Sequence, residues 1–483
     1  MTAASRRQTH RTQAFDAELL LPPELVCPSA LAPFLRRAPL PVLVRCCLEW
    51  MLEQAKLETL FEQTAEQQYT RQLTLDFLVD LMLDVACGIQ PSAHAALKAR
   101  HEQIDISRQA FYAKLQRMEL PLSEAIVARF AELAAHLMAQ WDFAGSEPIP
   151  GYAARVLDGS IPGGRTDHRI APLRTQRAGG LTGHALAVYH AAARTVGQLV
   201  LDEDAYTQER AMLPRVHVQT GEVWLADRNF CVLSFLFRVH RQGAAFVVRW
   251  HAQSCPYEPV APAAPAYGSR QGALEQTVRL ADPGTGCIMT ARRIVLPLEK
   301  PTRSGDWELV LMTDLPQEIG ADAICDAYRE RWQIETHFQR LTEQLHCEPS
   351  GLNYPRAALF AFAMAVVAGN ALAVVQAALQ AAHGKEAVHE LSYYALVLEI
   401  SQIWLGMAIA VPQEEWAFAR TASIETIAAW LLELARHVKM ERFRRSRRAP
   451  KKPPPKKSSA EGHTHVSNKR LIDQALQAPI NSH

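Results

Sequence analysis

The most constraining feature of this sequence is a nearly unbroken apolar stretch at residues 357–375, in which Asn370 is the one clearly polar residue. The stretch is long enough to cross a membrane as a helix. Its first thirteen residues, however, are mostly Ala, Val, Met and Gly, a composition that favours membrane insertion only weakly. A helix that is apolar on every side also suits the centre of a large globular core. Because 483 residues are ample for such a core, we predict a buried helix and no membrane partner.

The positive charge of the chain is concentrated near its C-terminal end. Between Lys439 and Lys457 lie ten Lys or Arg residues and one acidic residue, a net charge of +9. Of the 51 basic and 50 acidic residues in total, 41 and 49 remain elsewhere, a net charge of −8. A basic end on a mildly acidic body is typical of a polyanion partner or of a solubilising extension.

Cysteine usage indicates a reducing compartment. The nine cysteines form no Cys-x2-Cys pair, which argues against a disulfide framework and against a zinc knuckle. The arginine-containing N-terminus is not followed by the apolar core that a signal peptide needs. We therefore expect a cytoplasmic location.

Hydrophobic periodicity changes along the chain. The first 35 residues are polar and then Pro-rich, the next hundred follow helical spacing, and strand-like texture begins near Tyr152. We predict a disordered tail beyond Arg448 because that segment is rich in Lys and Pro and then polar. Further predicted elements are a β-hairpin over Ala185–Leu201 with Gly197 near its far end, a β-rich stretch over 244–313, and helices over 321–345, 357–382, 388–409 and 420–440.

Two short helices near residues 91–118 suggest a helix-turn-helix. Ser107 is a suitable N-cap for the second helix, which carries Arg108 and Lys114. Such a helix can lie in a DNA groove. An ordinary helical hairpin with a solvated charged face explains the same residues, so both interpretations stay open.

Three carboxylates form the candidate catalytic set. Asp158 and Asp227 each end a predicted strand, where α/β sheets expose functional groups, although a lone Asp there often only forms a turn. Tyr328, Arg331 and Glu335 fall on one stripe of the helix predicted over residues 321–345, within about 60° of one another. The same stripe could simply hold an Arg331–Glu335 ion pair. If the carboxylates converge, they can hold two Mg²⁺ ions about 3.5–4 Å apart, suited to attack on phosphorus.

These residues resemble the DDE transposases of the insertion-sequence-four family, in the subgroup with a Y-R-E signature. The resemblance rests on Asp158-Gly159-Ser160, Leu225-Ala226-Asp227-Arg228-Asn229-Phe230, and Tyr328-x2-Arg331-x3-Glu335. The intervals are 69 residues between the aspartates and 108 residues from the second aspartate to the glutamate. The longer interval leaves room for the β-rich insertion that this family carries there.

The resemblance implies an α/β fold with an RNase H-like catalytic core, a mixed sheet flanked by helices, together with a β-rich insertion and an all-α N-terminal domain. The predicted divisions are a leader (1–35), a helical domain with a possible DNA-binding role (36–145), the first part of the core (150–245), the insertion (246–308), the second part of the core with C-terminal helices (309–438), and a basic tail (439–483).

The resemblance also implies roles for single residues. Asp158, Asp227 and Glu335 are expected to be catalytic and to bind two Mg²⁺ ions, with Mn²⁺ as a substitute. The predicted DNA-binding residues are Tyr328, Arg331, Thr342, Arg228, Arg108 and Lys114. Thr342 departs from the family pattern, which has a lysine at that position. Arg340 lies on the opposite face of the helix and is a poor substitute for that lysine.

The expected function is a transposase that performs Mg²⁺-dependent cleavage at transposon ends and strand transfer into target DNA. The expected partners are the terminal inverted repeats, target DNA and a second copy of the chain, in the bacterial cytoplasm and on the nucleoid when bound to DNA. The alternative, motivated by Thr342, is a catalytically weakened DNA-binding protein derived from a transposase.

Overall fold

The computed structural model describes residues 29–67, 72–102, 104–141, 143, 145–160, 162, 183–204, 207–302, 305–347, 352 and 354–445. The predicted leader up to residue 28 and the predicted tail beyond residue 445 lie outside the described residues.

The described helices agree with the prediction only in part, since the helix predicted over 388–409 is divided into Lys385–His389 and Tyr393–Ala410. Five of the helices begin at hydroxyl N-caps, whose side chains accept a hydrogen bond from a backbone N–H in the first turn: Thr74, Ser92, Ser107, Ser392 and Ser423. In chain order they are Ala32–Arg37 (α1), Pro39–Ala55 (α2), Leu57–Thr64 (α3), Leu75–Ala86 (α4), Ala93–Ala99 (α5), Arg108–Gln116 (α6), Leu120–Ala139 (α7), Glu209–Met212 (α8), Leu233–Arg241 (α9), Ala321–Glu330 (α10), Trp332–Glu343 (α11), Pro355–His383 (α12), Lys385–His389 (α13), Tyr393–Ala410 (α14), Ala417–Thr421 (α15) and Ile424–Arg436 (α16).

The strands form one mixed sheet in the order β3-β2-β1-β4-β5-β10-β9-β8-β6, with β7 paired to β8. The pairs β1–β4 and β4–β5 are parallel, and the other pairs are antiparallel. The strands are Ala153–Ser160 (β1), His184–His190 (β2), Thr195–Asp202 (β3), Glu222–Ala226 (β4), Ala245–Arg249 (β5), Glu258–Pro259 (β6), Ala264–Pro265 (β7), Leu274–Ala281 (β8), Ile288–Pro297 (β9) and Glu308–Thr313 (β10). The prediction of a large mixed sheet flanked by helices is confirmed.

Apolar side chains on both faces of the sheet are buried, as β4 shows. Val223 and Leu225 point into the larger core with the long helices, whereas Trp224 and Ala226 point into a second core formed with α9. Strands buried on both faces are expected at the parallel centre of a sheet. In the larger core, the N-terminal helices α2, α4 and α7 pack with the C-terminal helices α12 and α16. The predicted domain boundaries stay a prediction.

Helix α12 contains the apolar stretch of residues 357–375. Its most hydrophobic 18-residue window has a mean hydropathy of 2.3 and is completely buried inside the protein. Asn370 is buried there as well, and its side chain both accepts from Val196 N and donates to Val196 O. Among the described residues α14 is also long and apolar enough to cross a membrane, and only 28% of its window is buried. Length and composition alone are weak grounds for a membrane span.

The predicted hairpin over residues 185–201 exists, but Gly197 does not lie at its turn. The turn is formed by residues 191–194, with Arg194 at a φ of 57°. Gly197 lies inside β3 at a β-bulge, because Val188 pairs with residue 198 and Tyr189 pairs with residue 196. A Cβ at Gly197 would lie 2.0 Å from the ring of His190, so glycine is needed for close approach rather than for the turn.

The predicted single helix over residues 321–345 is divided into α10 and α11 at Arg331. The N–H groups of Arg331 and Ile334 bond to carbonyls three residues earlier, as in a 3-10 turn, rather than four. This tighter turn separates the two helices without reversing the chain, so Tyr328 and Glu335 remain close to Arg331.

Candidate active site

Two parallel strands bring the predicted aspartates together. Leu157 of β1 pairs with Ala226 of β4. Asp158 directly follows Leu157, and Asp227 directly follows Ala226. Adjacent strands are about 4.8 Å apart. Each carboxylate also accepts the backbone N–H of the following residue, at 3.1 Å for Asp158 and 2.7 Å for Asp227. Asp227 directly follows the end of β4, but Asp158 lies inside β1, which continues to Ser160 paired with β2, so the prediction that Asp158 ends its strand is wrong. The two aspartates are nevertheless neighbours at the point where the pairing between β1 and β4 stops.

Asp158 lies in a poorly hydrated environment. Burial raises the pKa of its carboxyl from 3.8 to about 7, although the guanidinium of Arg331 and the N–H of Gly159 act in the opposite direction. Desolvation disfavours the charged form of a carboxyl group unless a cation compensates. A carboxylate at this position therefore has a strong physical preference for a nearby positive charge.

Helix α10 supplies a tyrosine to the second aspartate. The hydroxyl of Tyr328 donates to Oδ1 of Asp227 across 3.5 Å, and its ring is almost completely buried. Burial and the charge of Asp227 raise the pKa of Tyr328 to about 12, so the phenol keeps its proton. Tyr328 is thus a hydrogen-bond donor that orients Asp227.

Arg331 lies between the first aspartate and the glutamate. One of its terminal nitrogens is 2.8 Å from Oε1 of Glu335, and the other is 3.8 Å from Oδ2 of Asp158. Burial lowers the pKa of Arg331, but Tyr328 and the three carboxylates outweigh burial and raise it overall. The buried Nε of Arg331 has no hydrogen-bond partner among the described residues. The structure thus brings Asp158, Asp227, Tyr328, Arg331 and Glu335 into contact with one another, and their catalytic and DNA-binding roles stay a prediction.

The donor chemistry of this site fits a hard divalent cation, because all three predicted ligands are carboxylates. The half-buried Asp158, whose pKa is raised, also favours a neighbouring cation. In the described part of the chain, however, no group of three or more His, Cys, Asp or Glu side chains is gathered closely enough to hold a metal ion as it stands. Glu335 is instead paired with Arg331, whose guanidinium also faces Asp158.

A polar cleft adjoins the aspartates at the ends of β4 and β5. Arg228, Arg249 and Trp250 contribute to its lining, with Trp307 on the side that leads into β10. Arg249 forms an ion pair of 2.6 Å with Asp306, and the ring of Trp307 is 61% exposed. The predicted DNA-binding residue Arg228 therefore lies next to Asp227 on the wall of an open cleft whose lining holds two arginines and two carboxylates, Asp306 and Glu308.

Thr342 and Arg340 lie on different sides of α11. Thr342 is exposed, and its hydroxyl donates back to the carbonyl of Phe338 at 3.1 Å. It lies two helical turns beyond Glu335 on the same stripe, about 10 Å along the axis. Arg340 instead lies over the ring of Tyr393, with 4.9 Å between guanidinium carbon and ring centroid.

The other two predicted DNA-binding residues lie on α6, outside this cluster. Arg108 is exposed, and its guanidinium carbon is 5.7 Å from the ring centroid of Tyr112. The ammonium of Lys114 lies 5.3 Å from the ring centroid of Phe61, and burial lowers its pKa. A role for α6 in DNA binding stays a prediction.

Three residues at the site were missed in the sequence. Asn229 and Glu209 are joined by a hydrogen bond of 2.6 Å, and Nε of Arg210 donates to the carbonyl of Asn229 at the same distance. Asn229 is part of the motif that follows Asp227, which was a usable signal. Glu209 and Arg210 lie in the short helix α8, and nothing in the local sequence pattern indicates that this helix packs against the ends of β1 and β4.

Comparison with known proteins gives one informative match. Residues 154–370 match the family model of the transposase DDE domain, a span that includes Asp158, Asp227 and Glu335. No match was found among curated proteins. One solved structure, a cryo-EM structure of a piggyBac transposase synaptic complex with hairpin DNA, is similar over 80% of this chain and 82% of that chain, at 11% identity and a TM-score of 0.38. A likeness at that level carries no weight for fold or function.

Proposed function

We propose that this protein is a DDE transposase of the insertion-sequence-four family, Y-R-E subgroup, which cleaves DNA at the ends of a mobile element and joins them to target DNA. The observation that carries the proposal is the convergence of Asp158, Asp227 and Glu335 on Tyr328 and Arg331, inside the span that matches the transposase DDE domain.

The three carboxylates would hold two Mg²⁺ ions, or Mn²⁺ in their place. Bound ions of this kind activate an attacking oxygen and stabilise a leaving oxygen on phosphorus. Asp158 and Asp227 are ready for this role because neighbouring strands fix them side by side. Tyr328 keeps Asp227 oriented through its hydroxyl. Glu335 is 44% exposed at its side chain and can turn toward the aspartates when its ion pair with Arg331 opens.

Arg331 has two roles in this proposal. Without DNA it compensates the charges of Asp158 and Glu335, which stabilises an otherwise repulsive group of carboxylates. A DNA phosphate offers a guanidinium a bidentate partner with full charge. Arg331 would therefore turn to the phosphate and release both carboxylates. In the adjoining cleft, Arg228 and Arg249 are the cations that could contact the next phosphates, although Arg249 is paired with Asp306 and Glu308 also lines the cleft.

The proposed assembly is a homodimer on the terminal inverted repeats, located in the bacterial cytoplasm and on the nucleoid when bound to DNA. The basic segment from Lys439 to Lys457 supports a polyanion partner, since it carries ten of the cationic residues of the chain.

The test is a cleavage assay on a DNA fragment that carries the flanks of the protein's own gene. A transposase produces specific nicks at short inverted repeats in Mg²⁺ and none in EDTA. The alternative function, a weakened DNA-binding protein, is favoured by one observation: Thr342 replaces a cation with a hydroxyl that is bonded to its own helix. That alternative predicts specific retardation of the fragment in a gel without cleavage in either condition.

A further inference from the structure

The carboxylate of Glu209 lies directly against the end of β1. A Cβ atom added to Gly159 would lie 2.2 Å from Oε1 of Glu209, which is far inside van der Waals contact. Gly159 immediately follows Asp158, so the absence of a side chain there lets Glu209 approach the strand at the catalytic aspartate. The glycine of the Asp158-Gly159-Ser160 motif is therefore needed to seat Glu209, not to allow a special backbone angle.

The other oxygen of Glu209 holds the turn that follows Asp227. Its Oε2 accepts from Nδ2 of Asn229 at 2.6 Å. Arg210 donates from Nε to both the carbonyl and Oδ1 of Asn229, at 2.6 and 3.1 Å. Asn229 lies in a 3-10 turn at Arg228–Phe230, whose first N–H binds the carboxylate of Asp227. Two consecutive residues of α8 thus hold both ends of one asparagine.

These contacts connect the two strand ends that carry the aspartates. Parallel pairing between β1 and β4 ends at Leu157 and Ala226, one residue before the aspartates. Beyond that point, β1 and β4 form no further backbone pairs among the described residues. The hydrogen-bonded group of Glu209, Arg210 and Asn229 continues the connection where the ladder stops.

We propose that Glu209 is a positioning residue, which through Asn229 fixes the turn of Asp227 against the end of β1. The inference rests on the proposed function, because positioning of Asp227 matters only if Asp227 is catalytic. Glu209 need not touch a metal ion or DNA in this role. Its side chain is long enough to place the carboxylate over Gly159, where the carboxylate accepts the hydrogen bond from Asn229.

The experiment compares Glu209→Ala, Asn229→Ala, their double variant and Glu209→Gln. Outer-shell residues of metal sites typically contribute about 10- to 100-fold to metal affinity or activity. We expect Glu209→Ala and Asn229→Ala each to reduce the end-cleavage rate and the affinity for Mn²⁺, measured by calorimetry, within that range. The double variant should lose little more than either single variant, since both remove one connection. Binding of the uncut DNA end, measured by gel retardation, should be unchanged.

Glu209→Gln separates positioning from metal binding. Its amide oxygen can still accept from Asn229, so most of the loss should be recovered, whereas a metal ligand would lose its charge and its function. Equal losses in Glu209→Gln and Glu209→Ala would overturn the positioning role, as would unchanged Mn²⁺ affinity in Glu209→Ala. Thermal unfolding checks that each variant is folded. The matched control is Asp204→Ala, which removes an exposed carboxylate between β3 and α8.

A further variant tests the glycine. Gly159→Ala should impair Mn²⁺ binding strongly in the natural protein but much less in the Glu209→Ala background, since the clash partner is then gone. Equal effects in both backgrounds would contradict the inference. If the natural protein binds Mn²⁺ but cuts no DNA, the proposed transposase function fails, and the Mn²⁺ affinities still decide the role of Glu209.

Discussion

Replacement of Asp158 by asparagine should stabilise the metal-free protein at neutral and alkaline pH. Burial raises the pKa of Asp158 from 3.8 to about 7, so folding disfavours its ionised form. One pKa unit corresponds to about 1.4 kcal/mol, which sets an upper limit of about 4 kcal/mol on this penalty. The side chain is 21% exposed, and partial hydration reduces the expected gain to about 2–3 kcal/mol. Asparagine has the same shape and carries no charge.

The stability difference between the natural protein and Asp158→Asn should increase with pH. Well below its ordinary pKa of 3.8 the carboxyl is protonated in both the folded and the unfolded state, so the natural protein and Asp158→Asn should differ little in stability. Between pH 4 and about pH 7 the folded state retains a proton that the unfolded state has lost, so the stability of the natural protein falls as pH rises. Above pH 7 the difference should be constant. The variant's advantage therefore appears with rising pH and then levels off.

The assay is urea unfolding of both proteins in EDTA at several pH values, with the free energy of unfolding extrapolated to water. Asp202→Asn, at the end of β3, is the matched control for the loss of a strand-end charge. Equal stability differences at pH 4 and pH 8 would refute the reasoning, since they would show that the charge of Asp158 carries no folding penalty. Added Mg²⁺ should stabilise the natural protein and not the variant.

Three further outcomes are expected. Thr342→Lys should tighten binding of transposon ends at low salt, and the gain in affinity should shrink as the salt concentration rises. The control Thr336→Lys, on another face of α11, should leave the affinity unchanged, and gel-retardation assays across a salt series measure both. Deletion of the residues after Arg442 should flatten the salt dependence of DNA binding measured in the same series, and an unchanged slope would make the tail a solubilising extension. Asn370→Leu should lower the free energy of unfolding by about 2–5 kcal/mol, since it leaves the buried N–H and C=O of Val196 unpaired; denaturant unfolding that shows no loss would exclude this role.

The site could be predicted from the sequence where local pattern decides geometry. Aspartates at corresponding positions of two parallel neighbouring strands come to lie side by side, as Asp158 and Asp227 do where the pairing between β1 and β4 stops, although β1 itself continues to Ser160. Helical spacing likewise places Tyr328 and Glu335 beside Arg331, and the tighter turn at Arg331 changes this little. The burial of α12 followed from its lack of any polar face.

Features set by long-range packing could not be predicted. The position of Arg331 between Asp158 and Glu335 depends on where α10 docks on the sheet, which helical periodicity does not contain. Gly197 was expected near the far end of the hairpin, but its place in a β-bulge depends on pairing with β2 and on contact with His190. Glu209 was invisible for the same reason, since its partners lie on two other elements.

The most direct measurement of the central claim is single-turnover cleavage of a transposon end in Mg²⁺ by Asp227→Asn and Glu335→Gln, with Glu343→Gln as the control on the same helix as Glu335. If the three carboxylates form one metal-dependent centre, both site variants lose cleavage while they still retard the DNA in a gel, and the control cuts at the rate of the natural protein. Cleavage by either site variant at that rate would contradict the account.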